Sequence, residues 1–126
     1  MTTLLEHANY TVSDATATAA WMVKIFDWHI RWEGTSVNGG HSIHVGTDTR
    51  YLALYTPTQG LAPRADSYSQ LGCLNHLAVV VDDLDAVEAA TRAHGFSPHS
   101  HQDYEPGQRF YFRDLDGIEY EVVQYD

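Results

Sequence analysis

The sequence predicts an α+β chain made of two βαβββ modules, and three observations carry that prediction. Residues 5–14 and 74–83 align at a constant offset of 69, each a strand-like run with a histidine at its third position, His7 and His76. Each run ends in a polar pair, Ser13-Asp14 or Asp82-Asp83, suited to capping a helix, and a helix-period pattern follows. Three short apolar stretches separated by turn residues come after each helix. One repeat found twice indicates two modules, not an open-ended solenoid.

The elements follow in order. After the first strand, a helix is expected from Asp14 to Phe26, with Trp21 and Ile25 four apart beside Met22. Strands are then expected over 28–33, 41–45 and 50–56, with Asn38-Gly39-Gly40 as a turn. Residues 57–72, with Pro57, Pro63 and many polar side chains, read as the connector between modules 1–56 and 73–126 of a single domain. In the second module the helix is expected from Asp83 to His94, where Leu84, Val87 and Ala90 share a face and Gly95 stops it. Strands are expected over 96–99, 109–113 and 118–125, with a turn at Asp116-Gly117.

Composition narrows the function. With 44% hydrophobic and 19% charged residues the chain has the material for a core. Seventeen acidic side chains against seven basic ones give a net charge of -10, which argues against nucleic acid and against an anionic membrane surface as partners. No apolar run reaches the roughly 20 residues of a bilayer span, and no secretory signal opens the sequence. One cysteine, Cys73, excludes an internal disulfide framework, so a soluble cytoplasmic protein is expected.

The chemistry-bearing residues are two imidazoles at equivalent repeat positions and a carboxylate in the closing strand. Strand alternation puts Glu119, Glu121 and Val123 on one face and Tyr120 and Val122 on the other. An inward carboxylate needs a partner, because burying it alone is expensive. His7, His76 and Glu121 together form a donor set for a divalent cation such as Fe, Mn, Zn, Ni or Co. The spacing alone favours ordinary hydrogen-bonded strand histidines and a solvent-facing glutamate over a metal set.

The repeated order, the two histidines, and the run from Phe110 to Glu121 (FYFRDLDGIEYE) resemble the vicinal oxygen chelate superfamily, which includes glyoxalase I, extradiol dioxygenases, fosfomycin-resistance and bleomycin-binding proteins. The resemblance spans nearly the whole chain. It implies a cupped mixed sheet with helices outside, a cavity inside, and His7, His76 and Glu121 as metal ligands. A fourth ligand position of the glyoxalase and epimerase branches falls nearest Ala53, which cannot bind metal, so the set resembles three-ligand members. The resemblance implies a metal-dependent lyase, isomerase or ring-cleaving dioxygenase acting on a small oxygen-rich substrate. The chain ends five residues after Glu121, without the downstream Arg that fosfomycin-resistance proteins use against the phosphonate, and no motif fixes a catechol substrate. The alternative it offers is a metal-free protein that sequesters a small molecule or a cationic antibiotic, as the bleomycin-resistance branch does. A purely structural dimer is a third reading.

Around that set, His41 and His44 are candidate acid–base residues, although alternation puts them on opposite faces. Arg109 and Tyr111, with Arg113, alternate along one strand; an Arg there either binds a substrate carboxylate or enolate or neutralises nearby acids. His99 and His101 share strand parity. Trp21, Trp28, Trp32, Phe26 and Phe110 read as core or subunit packing, and Asp114 and Asp116 as turn organisers. A homodimer is expected, because each half of about 60 residues leaves curved edges to cover and because relatives of this length pair modules, sometimes across chains.

Overall fold

The computed structural model describes residues 2–126. The chain divides into two compact units, Met1–Ala62 and Pro63–Asp126, each a βαβββ module with its own open four-stranded sheet flanked by one helix. The α+β class and the two modules match the expectation.

In the first unit, β1 (His7–Thr11) and α1 (Ala15–Phe26) are followed by β2 (His29–Thr35), β3 (His41–Gly46) and β4 (Tyr51–Thr56). The sheet order is β1-β4-β3-β2; β1 runs parallel to β4 and the other pairs are antiparallel. Asp14 caps α1 by accepting from the Ala17 N–H at 3.1 Å. The buried positions of α1, including Ala15, Thr18, Trp21, Met22 and Ile25, recur with helical period, and the fully buried Ile43, Val45 and Leu54 belong to the strands beneath.

The second unit repeats this with β5 (Leu77–Val80), α2 (Leu84–His94), β6 (His99–Tyr104), β7 (Gly107–Arg113) and β8 (Glu119–Tyr125), ordered β5-β8-β7-β6. Asp83 caps α2 through the Ala86 N–H, and Gly95 ends it in the left-handed region at φ 105°. Each helix is also tied to its closing strand. The Ala15 N–H donates to Thr56 Oγ1 and the Leu84 N–H to Gln124 Oε1, both at 2.8 Å, so one otherwise unpaired N-terminal donor of each helix is satisfied by equivalent strand positions.

Registers align the two sheets residue by residue. Asn9 lies opposite Ala53 in the first, and Ala78 opposite Glu121 in the second, so Ala53 is the counterpart of Glu121. By the same reading His44, opposite Ala53, is the counterpart of Tyr111, opposite Glu121. One face of the second sheet is apolar, with Phe110, Phe112, Tyr120 and Val122 fully buried, while Arg109, Tyr111, Arg113, Glu119 and Glu121 occupy the other.

Three local expectations differ from the structure. The strand expected at 96–99 begins at His99, because Pro98 precedes it and Phe96 stacks on Phe112 as a core residue. His76 lies one residue before β5 instead of within it. Trp32 is 47% exposed, which removes the core from its two expected roles of core or subunit packing.

Candidate functional site

The polar face of the second unit is built around Glu121. Its Oε1 lies 3.1 Å from His76 Nε2, and its Oε2 accepts from Arg109 Nη1 at 2.9 Å. Both partners of the Arg–Glu pair are nearly buried, with side-chain exposures of 12% and 10%. Strand pairing dictates this grouping: Tyr111 sits directly across β7–β8 from Glu121, and Arg109 is two residues away on the same face. The Tyr111 phenol is pushed above its usual range, first by burial and then by the Glu121 charge and a hydrogen bond with it. His76 meets the edge of the Tyr111 ring at 5.8 Å.

Glu119, also buried on this face, accepts a hydrogen bond from the Tyr68 hydroxyl of the connector and has Arg113 at 3.8 Å. That hydrogen bond and the carboxylate charge, together with burial, hold the Tyr68 phenol above the usual range. Arg64 anchors the same stretch through Ser67 Oγ and the Leu74 carbonyl.

The polar face of the first unit is aromatic where its counterpart is charged. His7 stacks on Tyr51 at 4.8 Å, Tyr51 on His44 at 4.8 Å, and His44 meets Trp32 at 5.1 Å, one ring from each of the four strands. The Arg31 guanidinium lies 4.2 Å over Tyr51. Trp32 folds back over Gly34, where an added Cβ would stand 2.8 Å from the indole. Glu6 Oε1 accepts from His7 Nδ1 at 2.9 Å and from the Tyr51 hydroxyl at 3.3 Å, and the His7 hydrogen bond is the main cause that lowers the Glu6 carboxyl. Burial, followed by the charges of His7 and Arg31, lowers the His44 imidazole.

Among the sequence-predicted residues, the fold brings together His76, Arg109, Tyr111 and Glu121 in the second unit, and His7 with His44 on either side of Tyr51 in the first. His41 stands on the helix side of its sheet, 3.2 Å from Glu33, on the opposite face from His44 as alternation requires. His99 and His101 do not share a face. A register shift between His99 and Gln102 sends His99 to Tyr111 and His101 to Glu88 on α2, at 3.0 Å.

Sequence reasoning missed the residues that hold the two repeat histidines. Glu6 and Asn75 each immediately precede the histidine and take its Nδ1, Asn75 Oδ1 at 2.6 Å. Setting the repeats at the offset of 69 pairs Glu6 with Asn75, two oxygen acceptors in register, and that was the available signal.

No group of three or more His, Cys, Asp or Glu side chains stands together as a metal cluster among the described residues. The donor pair of the second unit nevertheless fits a divalent cation. Two donors bound to one cation at about 2.1 Å and near a right angle stand about 3 Å apart, which is the His76–Glu121 separation. An ionised Glu6 only accepts, and Asn75 Oδ1 only accepts, so both Nδ1 atoms carry the proton and Nε2 is the nitrogen of each ring that a cation would have to use.

The family model of the Glyoxalase/Bleomycin resistance protein/Dioxygenase superfamily matches residues 4–122, and the chain belongs to that superfamily, the vicinal oxygen chelate fold expected from the sequence. Among curated proteins none matches. A solved glyoxylase/bleomycin resistance protein/dioxygenase domain from Frankia sp. EAN1pec is similar with TM-score 0.82 and 22% identity, covering 100% of this chain and 93% of that one. The fosfomycin resistance protein FosX from Listeria monocytogenes, solved with Mn(II) and sulfate, gives TM-score 0.73 and 16% identity over 100% and 95% of the two chains. FosX from Mesorhizobium loti gives 0.71 and 20% over 98% and 92%. At these identities the likeness is one of fold. Among the described residues no helix is long and apolar enough to cross a membrane.

Proposed function

We propose that this chain is a divalent-metal-dependent enzyme acting on a small oxygen-rich organic substrate, with His7, His76 and Glu121 as the ligands. The observation that carries the reading is the His76 Nε2–Glu121 Oε1 approach of 3.1 Å, with the Nδ1 atoms of both histidines held by the residue before. A divalent cation at these ligands supplies Lewis-acid polarisation of substrate oxygens. Arg109 holds Glu121 by Oε2 and leaves Oε1 directed at His76. Tyr111, beside Glu121 and kept protonated because burial raises its phenol, is our candidate to donate a hydrogen bond to a substrate oxygen, with His44 the corresponding residue of the first unit. Lyase, isomerase and ring-cleaving dioxygenase chemistries all use such a set. FosX solved with Mn(II) on the same fold supports the metal reading.

The test is metal binding by untagged protein, stripped and reloaded with Mn(II), Fe(II), Zn(II), Ni(II) or Co(II). Loss of about tenfold or more in affinity is expected in both His7→Ala and Glu121→Ala; unchanged affinity in either removes that residue from the set. We read the assembly as a homodimer. In a mixed dimer carrying His7→Ala on one chain and Glu121→Ala on the other, exchanged modules retain half the metal capacity, whereas sites within each chain lose both.

A second reading, a metal-free binder of a cationic small molecule, draws on both Glu121 oxygens already having protein partners and on the charge of -10. Tight, chelator-resistant binding of a cationic aromatic compound without turnover distinguishes it.

A further inference from the structure

Of the buried side-chain nitrogens and oxygens among the described residues, two have no hydrogen-bond partner: His99 Nε2 and Arg109 Nε. Both belong to the polar face of the second unit and flank Tyr111. Arg109 is two residues before it on β7, and His99 is paired opposite it on β6 with the rings stacked at 6.3 Å and 20°. Leaving a buried donor unpaired is costly, and native folds seldom keep two on one sheet face without use for them.

The backbone is bent to aim one of them. Regular alternation would send His99 and His101 to the same face, but the register shift after His99, with Ser100 at φ 55°, turns His99 toward Tyr111. A non-glycine residue in that region is strained. Ser100 Oγ holds His99 Nδ1 at 2.9 Å, so when the hydroxyl donates to Nδ1 the ring presents an N–H at Nε2. On the other side Glu121 engages only Nη1 of Arg109, and the Tyr104 ring covers the guanidinium face at 4.7 Å from Cζ. Tyr104 is itself 54% exposed, so it is the ring that would have to swing out for a ligand to reach the arginine.

We propose that His99 Nε2 and Arg109 Nε form an oxyanion subsite beside Glu121 that takes the carboxylate of a small organic acid. Two donors on neighbouring strands ask for a ligand with two acceptor oxygens, and a guanidinium N–H pairs best with an anionic one. The ligand is a monoanion: residues 63–126 hold twelve acidic and four basic side chains, a field that repels phosphate dianions more strongly than a single carboxylate. As a substrate subsite this rests on the metalloenzyme reading above; as a carboxylate site it needs no metal.

The experiment uses the full chain, stripped of metal and freed of chelator, with 15N labelling, titrated with sodium pyruvate and separately with inorganic phosphate. Saturable shifts of the Arg109 Nε–H and His99 ring signals are expected with pyruvate and not with phosphate. Arg109→Lys keeps a charge for Glu121 without the Nε donor, and His99→Phe keeps the stack on Tyr111 without the nitrogen; each should weaken pyruvate about tenfold. Arg113→Gln, an exposed change on the same strand, should leave it unaltered. Absence of a saturable pyruvate shift in the wild type, wild-type affinity in both variants, or phosphate binding as tightly as pyruvate overturns the subsite. Pyruvate binding by a chain that shows no Glu121-dependent metal affinity would instead sink the metal reading and leave the subsite standing.

Discussion

The two units share one topology and differ in what covers the polar face of the sheet. At corresponding positions the first has Ala53 and His44 where the second has Glu121 and Tyr111. The first covers its face with stacked rings; the second covers it with an ion-paired carboxylate network. Their charges differ in the same sense, five acidic against three basic side chains in residues 1–62 and twelve against four in the remainder. The backbone of a βαβββ module is therefore specified by its apolar face and its helix caps, which both units keep, while the polar face is free to diverge.

Cutting the face they share should have the largest effect. Phe110 is fully buried, and Phe110→Ala is expected to cost about 3–5 kcal/mol, whereas Ile43→Val at the corresponding place in the first unit should cost about 0.5–1.5 kcal/mol. Urea unfolding followed by far-UV circular dichroism measures both. If the Phe110 variant loses less than the Ile43 variant, the apolar faces do not carry the modules as argued.

A smaller loss is expected at the turn before β8, whose counterpart in the first unit rests on Thr47 Oγ1 accepting from a single N–H, that of Arg50. Asp114 Oδ1 accepts from the N–H groups of Asp116 and Ile118, and Oδ2 from the Tyr120 hydroxyl. Asp114→Ala removes all three bonds and should cost about 2–4 kcal/mol, while Asp114→Asn, which keeps an acceptor for the turn, should cost clearly less. Equal losses in the two variants by the same unfolding measurement would mean that the turn depends on the charge and not on the acceptors.

The smallest effects are in pH dependence, and the units should respond in opposite directions. The His44 imidazole is lowered by burial and by the charges of His7 and Arg31. A base whose folded pKa is depressed contributes stability above its unfolded value, about 6.5, and loses it as pH falls from there toward the folded value. Burial raises the Asp114 carboxyl despite the hydrogen bonds it accepts. A raised acid contributes stability below its unfolded value and loses it as pH rises toward the folded one. Melting temperature against pH should therefore fall less steeply below about pH 6.5 in His44→Phe than in the wild type, by the equivalent of less than about 1 kcal/mol. An unchanged profile would show that His44 titrates alike in both states.

Much of the fold was legible because it rests on local signals. Asp14 and Asp83 precede their helices and cap them, Gly95 ends the second, and both helices fall within one residue of the expected ranges. Strand β6 was misplaced because its position depends on Phe96 stacking on Phe112, a contact across sixteen residues that periodicity does not report. Within the candidate site, the repeat itself marked His7 and His76, and alternation put Glu121 with Glu119. That Tyr111 stands across from Glu121, with Arg109 on the same face opposite Val123, depends on the β7–β8 register, set by the turn at Asp114.

The sequence by itself determined two modules, their helix boundaries, the acidic balance and the kinship, because capping, period and repetition are properties of neighbours along the chain. Only the tertiary structure decided which face of β8 carries the charges, that Glu121 is shared by His76 and Arg109, and that His99 parts from His101. Those outcomes turn on strand register and on one bulge, and a shift of one residue sends every later side chain to the other face.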